Sequence, residues 1–275
     1  MTVVLVTGCS SGFGEAIALG FLARGDTVVA TMRNPDAAPS SLKAAAASAD
    51  GRLHLSQLDV TDAASRKAAV ARTLDRCKRL DVLVNNAGVG CTGSLEDTPL
   101  DLLRRVFETN VFGPHEMMRL VLPIMREQKA GRIVNITAIG AIFATPLYNA
   151  YCASKHALDS ISVGADIDVR SFGVRVISVL PGQFKTSIGE KRLQGGLSAP
   201  YQALSDAMAR ARQKRASDVL TDLSPVVVAT IEAATHPDPR PRYVVGKGMA
   251  EMVAPAVAEL HKLYEFDLRR AEHLS

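Results

Sequence analysis

Tyr151 and Lys155 stand four residues apart in the stretch 135–155, NITAIGAIFATPLYNAYCASK. On a helix, residues four apart share a face, so a phenol and an ammonium can be held side by side, one turn apart. Such a pair can exchange a proton with a substrate oxygen. A free tyrosine titrates near pH ~10, so a phenol working near neutrality needs about 4 kcal/mol of differential stabilisation. The lysine cation favours phenolate, and positive charge on a cofactor ring would add to it. Alone the spacing is weak, because Tyr and Lys four apart arise by chance in many helices. The elements that would position the pair carry the rest of the inference.

The chain opens on an apolar, β-rich run, residues 2–7, which reads as a buried central strand. It enters Gly8-Cys9-Ser10-Ser11-Gly12-Phe13-Gly14 and then a helical pattern over 15–24. Glycines let a backbone approach a pyrophosphate, and the helix start offers unpaired N–H groups with partial positive charge. The order is T-G-x-x-x-G-x-G rather than G-x-G-x-x-G; alone it could be a structural turn, but after an opening buried strand it favours a nucleotide. A second strand, 26–32, ends in Thr31-Met32-Arg33. With no carboxylate there to accept from both ribose hydroxyls of NAD, and with Arg33 suited to a 2′-phosphate, NADP(H) is expected over NAD(H). The alternative is an arginine simply exposed on a loop.

A third strand, 52–58, leads to Asp59-Val60, where Asp59 is placed to accept from an adenine amino group, and Asp62 reads as the cap of a helix reaching residue 79. A fourth, 81–84, ends in Asn85-Asn86-Ala87-Gly88, small residues beside amides able to tie strands together. The helical region from Pro99 contains Asn110, either a satisfied core amide or a functional one. Strand 132–137 enters the Tyr151 segment, whose helix should run to about residue 172, and strand 174–180 stops at Pro181-Gly182. This alternation specifies an α/β fold: a doubly wound parallel sheet with helices on both faces. Gly8, Asp59, Gly88, Ala138 and Pro181 all fall at strand carboxyl ends, facing one crevice. Past Thr186 the pattern changes, and residues 187–216 read as a mobile substrate lid whose basic helical stretch has no strand partner. A helix over 224–234, a strand over 243–245 and a final helical segment complete a single domain, 1–275.

At 275 residues, 47% hydrophobic and 22% charged, the chain suits one ordinary globular domain. Its 4 cysteines show no close pairing with each other or with histidine, so neither a disulfide framework nor a metal site is expected. No basic leader and no apolar run of membrane-spanning length appear, and a cytoplasmic protein is expected. The net charge of +4 is concentrated in the lid, where Lys191, Arg192, Arg210, Arg212, Lys214 and Arg215 face only Glu190 and Asp206. Without interleaved aromatics this reads as a solvated helix face rather than a nucleic-acid surface.

The motifs TGCSSGFG (7–14), Asp59-Val60, NNAG (85–88), Asn110, YCASK (151–155) and Pro181-Gly182 followed by Thr186 resemble the short-chain dehydrogenase/reductase family, over essentially the whole chain. The nucleotide turn, the Ala30-Thr31-Met32-Arg33 strand end and YCASK are similar to the branch holding 17β-hydroxysteroid and retinol dehydrogenases and many bacterial relatives. The resemblance implies a Rossmann-type domain. It makes Tyr151 the general acid in reduction and base in oxidation, and Lys155 the residue that lowers its pKa and holds the nicotinamide ribose. Asn110 would anchor a water, and Thr186 with the backbone after Pro181 would hold the nicotinamide amide. Ser10, Ser11, Gly12, Phe13, Gly14, Val60, Asn86, Ala87, Gly88 and Gly182 complete the expected cofactor contacts, and Ala138, Tyr148 and Tyr151 face the substrate. A homodimer or homotetramer is implied, through the helices carrying Asn110 and Tyr151.

One position departs from the family pattern: Ala138 stands where a catalytic serine is expected, thirteen residues before the tyrosine. Thr137 is a poor substitute, since neighbouring strand residues point to opposite faces. Ala138 fits a disabled variant, a protein that polarises its carbonyl by other means, or one that no longer catalyses. The first function expected is interconversion of a ketone and a secondary alcohol of mainly apolar character with NADP(H); the second is a regulatory or scaffold protein that keeps the cofactor pocket with weakened catalysis.

Overall fold

The computed structural model describes residues 2–189 and 192–272. Glu190 and Lys191 of the basic cluster lie outside them. The strands are β1 (Val3–Val6), β2 (Thr27–Met32), β3 (Leu53–Gln57), β4 (Val82–Asn85), β5 (Cys91–Thr92), β6 (Gly131–Ile136), β7 (Val174–Pro181), β8 (Leu193–Gln194) and β9 (Arg242–Val245). The α-helices are α1 (Gly12–Ala23), α2 (Ser40–Ser48), α3 (Ala63–Cys77), α4 (Leu100–Phe107), α5 (Gly113–Glu127), α6 (Asn149–Val169), α7 (Gln202–Lys214), α8 (Ser224–Thr235) and α9 (Met249–Glu272). Seven strands form one parallel, Rossmann-like sheet in the order β3-β2-β1-β4-β6-β7-β9. The order reverses between β1 and β4, and at such a switch point the strand carboxyl ends open a crevice.

The central strands are mostly apolar, and β1 wholly so, because both faces are covered. In β1, Val4 and Val6 enter a core shared with Ile17 and Phe21 of α1, Leu42 of α2 and Val226 of α8. Val3 and Leu5 enter the opposite core, with Val70 of α3, Met117 and Val121 of α5 and Val169 of α6. The period of two along each strand thus builds two hydrophobic layers, and burial of each such side chain contributes about 1.5–3 kcal/mol. Asp62 caps α3 as expected, its Oδ1 accepting from Ser65 N at 2.5 Å.

Three features differ from, or add to, the sequence reading. The helical region after Pro99 is broken by a π turn, Glu108–Phe112, between α4 and α5. The region past Thr186 has a strand partner: although α7 pairs with no strand, Leu193–Gln194 upstream runs parallel to Cys91–Thr92. The last helix, α9, is anchored to α6, because Tyr264 Oη donates to Asp166 Oδ2 at 2.6 Å beside the buried Asp166–Arg175 ion pair. Among the described residues, no helix is long and apolar enough to cross a membrane.

Candidate active site

The nucleotide turn is built by close approach. Gly8 has φ +73°, and a Cβ there would lie 2.7 Å from Ala87 Cα, so only glycine lets the β1–α1 turn rest on the end of β4. Thr7 Oγ1 accepts from the backbone N–H groups of Asn86 and Ala87, each at 3.0 Å. Asn86 Nδ2 donates to the carbonyls of Thr7 at 2.9 Å and Gly8 at 3.1 Å. The Asn86 amide therefore holds the turn in shape rather than reaching outward. Asn85 performs the strand-tying task, donating to Asn135 Oδ1 at 2.9 Å, and Asn135 donates onward to Ser162 Oγ at 2.8 Å.

A single cavity of about 670 Å³ follows the carboxyl edge of the sheet, within the range of pockets that hold small molecules and cofactors. Gly8, Ser10, Ser11, Gly12, Phe13, Arg33, Asp59, Val60, Asn86, Ala87, Gly88, Ala138, Tyr151, Lys155, Pro181, Gly182 and Thr186 all line it. Three expected residues do not: Gly14 is buried under the turn, Asn110 lies behind the wall, and Tyr148 stands to one side. Arg33 is exposed and makes no hydrogen bond or ion pair to any described residue. Asp59 Oδ1 accepts from Thr61 N at 2.9 Å and Thr61 Oγ1 at 2.7 Å, which fixes the carboxylate at the cavity wall.

Asn110 sits inside the π turn, fully buried, where such turns often mark functional positions. Its Oδ1 accepts from Val89 N at 2.8 Å, and its Nδ2 donates to Val89 O at 2.9 Å and Ser154 Oγ at 3.0 Å. The side chain is thus fully used in joining the segment after β4 to α6. Lys155 is buried and donates from Nζ to Ile136 O at 2.9 Å, with Nζ 5.9 Å from the centre of the Tyr151 ring. Burial lowers the Lys155 ammonium to about 8. Tyr151 borders the cavity, yet the surrounding protein atoms push its phenol well above the ordinary tyrosine value. The protein's own groups therefore favour a neutral phenol and do not supply the lowering expected from the Tyr151–Lys155 spacing, since desolvation dominates and Lys155 points to a backbone carbonyl.

Ala138 is buried in extended backbone at the end of β6 and carries only a methyl. The hydroxyl of Thr137 donates to Val179 O at 3.0 Å, into the sheet. Tyr148 Oη accepts from Arg192 Nη1 at 2.8 Å and Arg212 Nη1 at 3.1 Å. Among the described residues, no group of His, Cys, Asp or Glu is arranged to hold a metal ion.

The profile of the short chain dehydrogenase family matches residues 2–195. The chain belongs to the short-chain dehydrogenase/reductase family. It is 33% identical to a 3-ketodihydrosphingosine reductase of Bacteroides thetaiotaomicron, over 76% of this chain and 73% of that protein. It is 37% identical to estradiol 17-beta-dehydrogenase 1 of Rattus norvegicus, over 77% and 61%. A solved short-chain dehydrogenase of Streptomyces avermitilis superposes with a TM-score of 0.80 at 33% identity, covering 99% of both chains. ElxO, solved with NADP bound, superposes with a TM-score of 0.70 at 26% identity, covering 86% of this chain and 92% of its own.

In this short-chain dehydrogenase/reductase, the cavity also takes residues that spacing does not single out, notably Thr61, Val89, Arg105, Thr109, Phe184 and Leu193. Arg105 reaches it from α4 and Thr109 from the π turn that follows. Phe184 packs edge-on against Phe13, with ring centres 5.4 Å apart, and Ser187 Oγ lies 2.6 Å from Ser11 Oγ. These two contacts join the region after Pro181-Gly182 to the nucleotide turn.

Proposed function

We propose that this protein interconverts a ketone and a secondary alcohol of mainly apolar character, using NADP(H) in preference to NAD(H), with Tyr151 as the proton-transferring residue. The observation that carries the reading is the placement of Tyr151 and Ala138 on the same cavity as the glycine turn and Arg33. Several features fit a dinucleotide: the turn that any Cβ at Gly8 would spoil, the start of α1 behind it, and an arginine without a carboxylate partner at the tip of β2. Ser10, Ser11 and the start of α1 would hold the pyrophosphate, Arg33 the 2′-phosphate, Asp59 and Val60 the adenine, and Lys155, Pro181, Gly182 and Thr186 the nicotinamide end. Reduced nicotinamide, when bound, supplies the hydride.

The chain's own groups handle the proton. Tyr151 retains its proton at neutral pH because burial disfavours phenolate, so it is set to donate to a carbonyl oxygen. Lys155, brought to about 8, is able to exchange protons near neutrality and to replace the one Tyr151 gives up. Asn110 acts indirectly, by holding residues 89–90 against α6. The segment 187–216 acts as the lid. We also propose a homo-oligomer formed through α5 and α6, which sedimentation showing only monomer at micromolar concentration would refute, and a cytoplasmic setting.

Ala138 favours a second reading, a cofactor-binding protein with weakened catalysis. A panel of ketones tested with the Ala138→Ser form, followed by NADPH absorbance, separates the two. Turnover abolished by adding Tyr151→Phe supports the reductase. NADPH binding without turnover on any ketone supports the second reading.

A further inference from the structure

Two cations converge on one uncharged group at the edge of the site. Arg192 Nη1 donates to Tyr148 Oη at 2.8 Å and Arg212 Nη1 at 3.1 Å, and both guanidinium carbons lie near the ring, at 5.9 and 6.0 Å from its centre. Their other hydrogen bonds go to backbone carbonyls, Gly189 O at 2.7 Å for Arg192 and Met208 O at 3.4 Å for Arg212. Among the described residues, neither arginine has a carboxylate within ion-pair distance. The phenol oxygen offers lone pairs but no countercharge, so among the described residues no carboxylate offsets the mutual repulsion of the guanidinium groups. Planar guanidinium forks are suited to oxyanions, which they bind bidentately.

The placement joins this pair to the reacting end of the cavity. Tyr148 immediately precedes α6, the helix that carries Tyr151 three residues on. Arg192 directly precedes Leu193, which lines the cavity, and its Cβ would be 3.2 Å from a Cβ at Gly90, beside the wall residue Val89. Arg212 enters from α7, so the two cations arrive from separate parts of the 187–216 segment.

We propose that Arg192 and Arg212, organised by Tyr148, recognise an oxyanion on the substrate, so that the natural substrate is a keto or hydroxy compound with a mainly apolar body and a carboxylate or similar anionic end. The site deepens the reductase reading and rests on it for the word substrate. Its binding chemistry does not depend on turnover. The same two arginines could instead grip the dinucleotide pyrophosphate, and the test distinguishes these sources.

Straight-chain carboxylates from butanoate to decanoate, and the matching neutral amides, are titrated calorimetrically into the full chain with and without saturating NADP⁺. At least one acid is expected to bind tenfold or more tightly than its amide. In the Arg192→Gln/Arg212→Gln double variant the preference should fall below twofold, with NADP⁺ affinity unchanged within twofold. The Arg192→Lys/Arg212→Lys variant, which keeps the charge, should retain at least a threefold preference. Acids and amides binding alike across the series, or a preference that survives the double glutamine variant, would overturn the proposal. A tenfold loss of NADP⁺ affinity in that variant would overturn it too, by assigning the arginines to the cofactor. Selective acid binding in a protein that reduces no keto acid keeps this site and removes the reductase reading.

Discussion

Thr137 donates its hydroxyl to the Val179 carbonyl at 3.0 Å, so the one hydroxyl adjacent to Ala138 is committed to the backbone of β7. The position thirteen residues before Tyr151 therefore has no side-chain donor of its own and no neighbour that replaces it. Loss of one donor to a developing oxyanion typically costs roughly 10²–10³ in rate. Ala138→Ser is expected to raise turnover at least about tenfold on any accepted ketone, with NADPH affinity changed by less than about 1 kcal/mol. Equal turnover numbers for the two forms in steady-state assays would mean that Tyr151 or a bound water is the only carbonyl donor.

Arg33 stands exposed with no hydrogen-bond or ion-pair partner among the described residues, so its removal leaves no buried group there unsatisfied. Arg33→Ala should weaken NADPH binding by about 1.5–3 kcal/mol, the range for a charge-assisted hydrogen bond, and leave NADH nearly unaffected. Fluorescence titration with both cofactors measures this; equal affinities in the unaltered protein would remove the 2′-phosphate role.

Lys155 has a folded pKa of about 8 against an ordinary 10.5. Between those values the unfolded chain holds a proton that the folded chain has shed, so this group's contribution to stability rises with pH across the window and is least favourable below 8. Lys155→Met should therefore be more stable than the parent at pH 7, with the gain shrinking as pH rises toward 10.5. Denaturant unfolding at pH 7, 9 and 10 checks the sign; a gain independent of pH would point to packing instead.

Much of this architecture is legible from residues alone. Buried parallel strands read as apolar runs, unbroken in Val3–Val6 and interrupted only by Arg175 and Ser178 in Val174–Pro181, and the residues at their carboxyl ends meet in one cavity because a doubly wound sheet requires it. The π turn around Asn110 is not legible, since it shifts the helical phase only once, within the five residues Glu108–Phe112, too short a stretch for apolar spacing to locate. Asn86 carries the right motif but commits its amide to the Thr7 and Gly8 carbonyls, a choice made by the close packing of two strand ends. The arginines on Tyr148 are likewise hidden, because they join positions 44 and 64 residues apart through the conformation of the chain after Thr186.

Asp166 is fully buried, and its carboxylate accepts from Arg175, Tyr264 and the backbone of Val176. Removing one partner of a buried pair leaves the other charge uncompensated, at a cost of about 3–5 kcal/mol. Asp166→Ala is expected to lose that much in chemical denaturation, whereas Tyr264→Phe, which deletes the hydrogen bond donated to Asp166 and the one accepted from Arg170 Nη1 at 3.0 Å, should lose at least about 1.5–3 kcal/mol. A loss below about 1 kcal/mol for Asp166→Ala would show that water readily replaces the network.

The short parallel ladder between Cys91–Thr92 and Leu193–Gln194 has a bearing on how the chain reaches this state. It joins segments separated by two strands, β6 and β7, and the helices α4, α5 and α6, so the entropic cost of closing its loop is small only after β6, α6 and β7 have formed. The pairing is then among the last contacts acquired during refolding, later than the bulk of the helix content. Stopped-flow refolding should show far-ultraviolet ellipticity recovering before ligand binding does, with the delayed phase carried by residues 187–216; simultaneous recovery of both signals would place the ladder in the nucleus instead.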